Sequence, residues 1–435
     1  MLIPSKTMLA LMAIIFAASV AFAVMPEGGI YFYGLLILVL IVVIVDAVFL
    51  LLEPLLVVRR RVPQVLPLWA ESEVCLRVES IASHTQFFTL FDHLPAHFNT
   101  QQLPVELQVN SKGYTEYVYR VRATERGDHT FAQTEIRVKS QFKLWCRRIM
   151  VGECTQVKVY PNFSTLARYA LLATDHRLSQ IGVLKRRRRG LGSDFQQLRE
   201  YREGDAQRQI DWKASSRMGK LISRQYQDER DQQIVLLIDC GRRMSNRDGE
   251  LTHMDHVLNA SLLLAYVGLR QGDAVGLFTM AGEQHWLAPR KSIGTINVLL
   301  NEVYDIQPSP HSPDFYAASV ELMRRLRKRA LVVVVSNLRD EDDNTLQPAV
   351  RLLQQRHLVM VASLREPVLT QTLAQPVLSL NAALTHAAVA DYLELRHLAF
   401  RRLEQQRVPC VDVEPSQLAL ALVNRYIDIK RSGRM

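Results

Sequence analysis

Ile234-Val235-Leu236-Leu237-Ile238-Asp239 is an unbroken apolar run closed by a carboxylate, and its reading sets the architecture of the C-terminal half of the chain. A run without polar alternation suits a strand buried on both faces. Similar runs recur at 274–280 (AVGLFTM), 330–337 (ALVVVVSN), 358–363 (LVMVAS) and 410–413 (CVDV). Amphipathic stretches between and after them predict helices from about Met254 to Arg270, Ile293 to Tyr304, Phe315 to Arg327, Leu346 to Gln355, Ala388 to Gln406 and Gln417 to Lys430. Apolar strands alternating with helices predict an α/β fold, a doubly wound parallel sheet over residues 233–435. Ligands of such sheets sit beyond the carboxyl ends of the strands at the switch in strand order, which points to the loops after Asp239 and Ser336.

Immediately upstream lies a dense mixed-charge block, GSDFQQLREYREGDAQRQIDWKASSRMGKLISRQYQDERDQQ, beginning at Gly192. Glu200, Asp205, Asp211, Asp228, Glu229 and Asp231 alternate with Arg199, Arg202, Arg208, Lys213, Arg217, Arg224 and Arg230, while Phe195, Tyr201, Ile210, Trp212 and Tyr226 supply apolar anchors. Such a mixture predicts a clamp of ion pairs and aromatic pegs holding the linker (163–232) to the sheet domain. A phosphate or nucleotide site built from Arg208, Lys213 and Arg217 is the rival, and the block has no Walker A sequence to favour it.

The block resembles domain-of-unknown-function family 58 at Phe195, Leu198, Arg199, Tyr201, Gly204, Asp205, Arg208, Ile210, Asp211, Trp212, Lys213 and Arg217, with Glu229 and Arg230 following. The resemblance implies a membrane anchor and a β-rich segment joined to a von Willebrand factor A-like domain. A-domains that bind metal carry an Asp-x-Ser-x-Ser motif after the first strand. Here the corresponding stretch reads Asp239-Cys240-Gly241-Arg242-Arg243, so both serines are replaced. Beyond the third strand, Ser336-Asn337-Leu338-Arg339-Asp340 places Asn337 where related domains often have aspartate, and Thr295 is the available candidate for the loop threonine. A hard divalent ion requires oxygen ligands, so the expectation is a degenerate metal site, with no bound metal and no cofactor. Arg243 either pairs with Asp239 in the vacated position or points to solvent; in the first case, restoring serine at 241 and 243 confers magnesium-dependent stabilisation. Cys240 with His253 and His256 assembles no nucleophilic triad. The resemblance further implies a MoxR-type AAA+ ATPase partner and a chaperone-like adaptor role.

The chain has 435 residues and is 48% hydrophobic, enough for two or three packed domains and too apolar for disorder. Met8 to Val24 is uncharged, and Ile30 to Val58 is interrupted only by Asp46 and Glu53, so residues 1–58 predict two transmembrane helices. A cleaved signal peptide is the alternative for the first. Lys6 before the first span and Arg59, Arg60 and Arg61 after the second place both ends in the cytoplasm, giving a multi-pass inner-membrane protein with its large C-terminal portion cytoplasmic. Asp46 makes a polar contact within the membrane or snorkels to its surface.

Residues 59–162 read as a β-sandwich from alternating runs such as Val74–Val78, Tyr117–Val121 and Val157–Tyr160; Arg126-Gly127-Asp128 reads as a turn. Five scattered cysteines, Cys75, Cys146, Cys154, Cys240 and Cys410, suggest neither a disulfide framework nor a zinc site. The net charge of +10 and the run Lys185–Arg189 suit membrane lipid, an acidic protein face or internal pairing; without interleaved aromatics, nucleic acid is not expected. Together these features predict a non-enzymatic, membrane-anchored interaction protein. A metal-dependent adhesion or sensor module, and an enzyme acting on phosphorylated or cell-envelope substrates, are the alternatives.

Overall fold

A computed structural model describes residues 1–22, 28–162, 194–202, 207, 210–227 and 232–433. The linker 163–193 with its cation run, Gly204, Asp205 and Arg208 of the charged block, and residues 228–231 lie outside the described residues. The chain divides into two compact units, Met1–Tyr160 and Pro161–Met435.

The first unit begins with a short strand, β1 (Leu2–Pro4), followed by the apolar helices α1 (Lys6–Phe22) and α2 (Gly28–Leu52). Within α2, Phe32–Leu52 is long and apolar enough to cross a membrane; α1, at 17 residues, is shorter. Eleven strands follow: β2 (Val57–Arg61), β3 (Val65–Pro67), β4 (Glu71–Glu79), β5 (Gln86–Asp92), β6 (Phe98–Asn99), β7 (Val105–Val109), β8 (Tyr114–Ala123), β9 (Gly127–Phe131), β10 (Thr134–Lys139), β11 (Trp145–Val151) and β12 (Thr155–Tyr160). They form sandwich-like sheets of order β1-β11-β10-β5-β7, β2-β4-β8-β6 and β3-β12-β9, antiparallel except at the β3–β12 pair. The alternation read in the sequence is the alternation of burial: Val74, Leu76 and Val78 of β4 and Tyr119 and Val121 of β8 point inward, with their neighbours outward. Arg126 is buried, so the Arg126-Gly127-Asp128 tripeptide is not an open adhesion loop, and Gly127 takes the positive φ at the entry to β9.

The sandwich extends further toward the N-terminus than residue 59. Leu2, Ile3 and Pro4 pair with Arg147, Cys146 and Trp145, so the residues ahead of α1 are an edge strand of the first sheet. Asp46 is buried against protein, accepting hydrogen bonds from Ser140 Oγ at 2.5 Å and from the Phe142 amide at 3.2 Å.

In the interior of the sandwich, where β5 ends and β10 begins, the wholly buried Asp92 carboxylate receives the Arg60 guanidinium through Nε at 3.0 Å and through Nη2, the Tyr119 hydroxyl at 2.5 Å and the Thr134 hydroxyl at 2.9 Å. Arg60 therefore belongs to the protein interior and not to a surface cation run. Burial first, then Asp92, pushes the Tyr119 hydroxyl pKa upward, so Tyr119 remains a donor.

In the second unit, β13 (Asp194–Glu200) and β14 (Ile222–Gln227) form a ribbon bridged by the helix Trp212–Met218. The main sheet contains β15 (Gln233–Asp239), β18 (Ala274–Met280), β19 (Trp286–Arg290), β20 (Leu331–Ser336), β21 (Leu358–Leu364) and β22 (Cys410–Val413), with a two-residue ribbon, β16 (Arg247–Asp248) and β17 (Leu251–Thr252), between the first two. Its order is β19-β18-β15-β20-β21-β22, with five parallel strands and β19 antiparallel at the edge. The sequence reading missed β19 because Pro289 breaks its pattern, and a proline is tolerated in a strand at a sheet edge.

The inner strands β15, β18, β20 and β21 are apolar along most of their length because helices cover both faces. Ile234, Leu236 and Ile238 pack with Val257, Leu258 and Leu262 of the helix His253–Arg270 and with Leu422 and Tyr426 of the helix Leu418–Arg431. Val235 and Leu237 face the other way, toward Phe315, Leu322, Leu346, Val350 and Leu403. Thr252 caps the first of these helices through a reciprocal pair with Asp255, which fixes its start beside β15. The helix containing Leu403 runs Leu380–Gln405, earlier than the Ala388 start read from the sequence, because Ser379 supplies its N-cap.

Candidate functional site

The carboxyl ends of β15, β20 and β21 meet at a closely bonded polar cluster. Asp239 and Ser336, the last residues of adjacent strands, are both fully buried, and the Ser336 hydroxyl donates to Asp239 Oδ2 at 2.6 Å. The Gly241 amide donates to Asp239 Oδ1 at 2.7 Å. Asn337, also fully buried, donates through Nδ2 to Glu366 Oε1 at 2.6 Å and lies 3.5 Å from His253 Nδ1.

Arg243 takes neither of the two positions read from the sequence. Its guanidinium spans to the β20 loop, donating through Nη1 to the Asn337 carbonyl at 3.1 Å and to Asp342 Oδ2 at 2.5 Å, and through Nη2 to Glu341. Asp342 Oδ2 also accepts from the Arg339 amide at 2.8 Å, so one carboxylate fixes both the loop and the arginine. Arg243 reaches Asp239 only through its electric field. Asp340 opens the 3-10 turn Asp340–Asp342. Thr295 opens the helix Thr295–Val303 and makes no hydrogen bond to Asp239, Ser336 or Asn337.

The donor set does not fit a divalent ion. Both oxygens of Asp239 already accept from the protein, position 241 has no side chain, and position 243 brings a cation. A serine at 241 is also sterically opposed: a Cβ there stands 2.9 Å from Asp239 Oδ1, 3.0 Å from the His311 carbonyl and 3.1 Å from Pro313 Cδ. Gly241→Ser is therefore expected to destabilise the unit by about 1–3 kcal/mol, the usual range for overpacking, measured by chemical denaturation with and without magnesium. Equal loss in both conditions is the expected result; recovery in magnesium contradicts this account of the loop.

Burial pushes the Asp239 carboxyl up to about 6, against the opposing hydrogen bonds from Ser336 and Gly241. An unfolded aspartate titrates near 3.9, so the folded state holds this proton more tightly. The stabilisation is fully present below about pH 4 and is lost as pH rises through about 6. Asp239→Asn removes the titration, so the stability of the variant relative to wild type is expected to rise between pH 4 and 7 by on the order of 2–3 kcal/mol, read from denaturation midpoints across that range.

A second arginine, not singled out by the sequence, locks the same edge. Arg396 is 2% exposed and donates to Ser363 Oγ, the Leu364 carbonyl and Asp412 Oδ1, each at 2.7 Å, and to the Leu338 carbonyl. Ser363 Oγ in turn accepts from the Leu338 amide at 3.0 Å. One guanidinium thereby joins the long helix to β20, β21 and β22.

The charged block is not gathered into this edge. Asp211 caps the Trp212–Met218 helix, accepting from the Lys213 and Ala214 amides at 3.1 and 3.0 Å, and pairs with Arg224 at 2.9 Å. Arg199 lies on β13, donating to the Glu200 carbonyl, and the Tyr201 amide donates to the Leu221 carbonyl. Trp212 is 68% exposed, and Lys213 and Arg217 are exposed beside it, so Trp212 is not a buried peg. With Arg208 outside the described residues, the structure assembles no phosphate cradle from Lys213 and Arg217.

These features define an α/β sheet unit whose carboxyl edge is closed by two fixed guanidinium groups. Residues 197–374 match the model of the family described as Protein of unknown function DUF58. No curated protein sequence matches the chain. Among solved structures, Escherichia coli alpha-2-macroglobulin, spanning domain MG7 to its C-terminus, is 13% identical over 25% of this chain and 17% of that one, with a TM-score of 0.22. The CARDB domain of the PF1109 protein from Pyrococcus furiosus is 13% identical over 25% and 94%, with a TM-score of 0.18. Proximal thread matrix protein 1 from the mussel byssus is 8% identical over 46% of each chain, with a TM-score of 0.26. At these values the likenesses carry no functional argument, and the chain spans under a fifth of the macroglobulin structure.

Proposed function

We propose that this chain is a membrane-anchored interaction protein whose C-terminal unit is a doubly wound, von Willebrand factor A-like platform with a degenerate metal site. The observation that carries the reading is Arg243, bound to Asp342, Glu341 and the Asn337 carbonyl at the switch in strand order. A fixed cation ties together loops that an exchangeable ion would otherwise organise, giving a preformed surface and no reactive centre. In this reading α1 and α2 form a transmembrane hairpin with both ends cytoplasmic. The pairing of β1 with β11 supports retention of the first helix, since cleavage after it would strip an edge strand from the sandwich. The partner is a MoxR-type AAA+ ATPase, and the role is chaperone-like assembly.

Affinity isolation of the full chain from detergent-solubilised native membranes, with and without a non-hydrolysable ATP analogue, tests the reading. Nucleotide-dependent recovery of an AAA+ ATPase that is lost in Arg243→Ala supports it. Consistent recovery of envelope enzymes or nucleic-acid proteins instead overturns the partner assignment.

A further inference from the structure

The turn between β10 and β11, Ser140-Gln141-Phe142-Lys143-Leu144, is bonded to the body of the apolar helix α2 and not to its end. Ser140 and the Phe142 amide donate to Asp46, and Trp145 Nε1 donates to the Val43 carbonyl at 3.0 Å. Asp46 lies six residues before Leu52, about 9 Å along the axis at 1.5 Å per residue. If all of Phe32–Leu52 filled the hydrocarbon, the Lys143 ammonium and the polar groups at Ser140 would lie about that far inside it, where an ionised side chain is costly.

The level of the turn is fixed a second time by α1. The Ser5 amide donates to the Leu144 carbonyl at 2.9 Å, and Met8 is buried, so α1 leaves the sandwich at the depth where Asp46 sits on α2. The stretch Gly28–Val45 is then about 27 Å long, close to the hydrocarbon thickness of a bilayer. Distal to Asp46, the Arg147 guanidinium donates to the carbonyls of Leu50, Leu51 and Glu53 at 3.2–3.3 Å, satisfying the C-terminal end of α2 as a water-exposed or protein-exposed terminus requires. At the tip of the turn, Phe142 is 58% exposed, and Lys143 and Lys6 are exposed with no ion pair among the described residues. An exposed aromatic flanked by unpaired cations is the chemistry of the boundary between acyl chains and anionic headgroups.

We propose that the β10–β11 turn is a membrane contact, with Phe142 seated at the acyl–headgroup boundary of a phospholipid bilayer and Lys143 and Lys6 facing its phosphates. The sandwich is thereby held against the membrane surface by its own tip as well as by the chain connection. This rests on the reading of α2 as membrane-spanning, and the test separates the two.

A genetically encoded environment-sensitive fluorophore is placed, one site at a time, at Phe142, at the neighbouring exposed Gln141, at Leu38 within α2 and at Gln101 on a loop of the sandwich. The full chain is reconstituted in phosphatidylcholine–phosphatidylglycerol vesicles containing lipid doxyl-labelled at acyl carbon 5 or 12, and aqueous iodide is added separately. The expected result is that the carbon-5 lipid removes most of the emission at 142, the carbon-12 lipid does so at Leu38, and only iodide acts at Gln101. A label at 142 or 141 that behaves like Gln101 while Leu38 is quenched by lipid overturns the turn contact and leaves the anchor standing. Deep quenching at 142 equal to that at Leu38, or protection from both lipid and iodide as in a protein–protein contact, also overturns it. Absence of lipid quenching at Leu38 overturns the anchor and the turn contact together.

Discussion

Asp92→Ala is expected to cost the N-terminal sandwich about 3–5 kcal/mol, the range for removing one partner of a buried ion pair. Arg60 is 4% exposed and Asp92 is not exposed at all, so alanine leaves a guanidinium in the interior with no carboxylate. Its remaining partners are the carbonyls of Ala132, at 2.5 Å, Glu153, at 3.2 Å, and Phe131, at 3.5 Å, together with the hydroxyls of Thr155, at 3.2 Å, and Thr134, at 3.3 Å; none carries charge. Tyr119 loses its acceptor as well. Arg60→Ala is expected to be similarly severe, whereas Arg60→Met combined with Asp92→Leu should cost much less, because neither charge then remains buried. Hydrogen exchange of the full chain, read from peptides of β4, β5 and β8, measures the loss within this unit alone. A single alanine substitution that leaves protection there unchanged would refute the assignment of Asp92 as the electrostatic centre of the sandwich.

Arg396→Ala is expected to cost the second unit a comparable 3–5 kcal/mol, concentrated at the carboxyl edge of its sheet. The guanidinium is the hub for the Leu338 and Leu364 carbonyls, the Ser363 hydroxyl and the Asp412 carboxylate, and its planar fork meets them in several directions at once. Lysine offers one ammonium and cannot reproduce that geometry, so Arg396→Lys should recover only part of the loss. Hydrogen exchange should rise first in the helix Leu380–Gln405 and in β22, where the tie is made, and later in β15 and β18. Uniform loss across the sheet, or none, would show that Arg396 is not a local latch. Loosening of the Arg243 loop in the same variant is also expected, since Leu338 and Asn337 adjoin one another and carry one arginine each.

The runs 234–239, 274–280, 331–336 and 358–363 were legible as strands because burial on both faces leaves them apolar up to a polar residue near the carboxyl end, and that condition is local to each strand. Alternation in β4 and β8 and the apolar character of α1 and α2 were legible for a similar reason: local packing and backbone periodicity impose them on neighbouring residues. The destinations of the long cations were not. Arg60 sits in a run of three arginines beside an apolar helix and yet ends on Asp92, 32 residues away; Arg243 bonds Asp342 rather than the nearby Asp239; Arg396 looks like one more charge on a long polar helix and is buried. Asp46 likewise found its partners in a turn 94 residues later. The sequence by itself determined most of the strands and helices, since those follow from periodic exposure along the chain, but not the proline-containing edge strand β19 or the start of the helix Leu380–Gln405. The tertiary structure alone decided which buried charges meet, because a flexible guanidinium or carboxylate is paired by whatever the packed elements bring within about 3 Å of it, and sequence separation has no bearing on that distance.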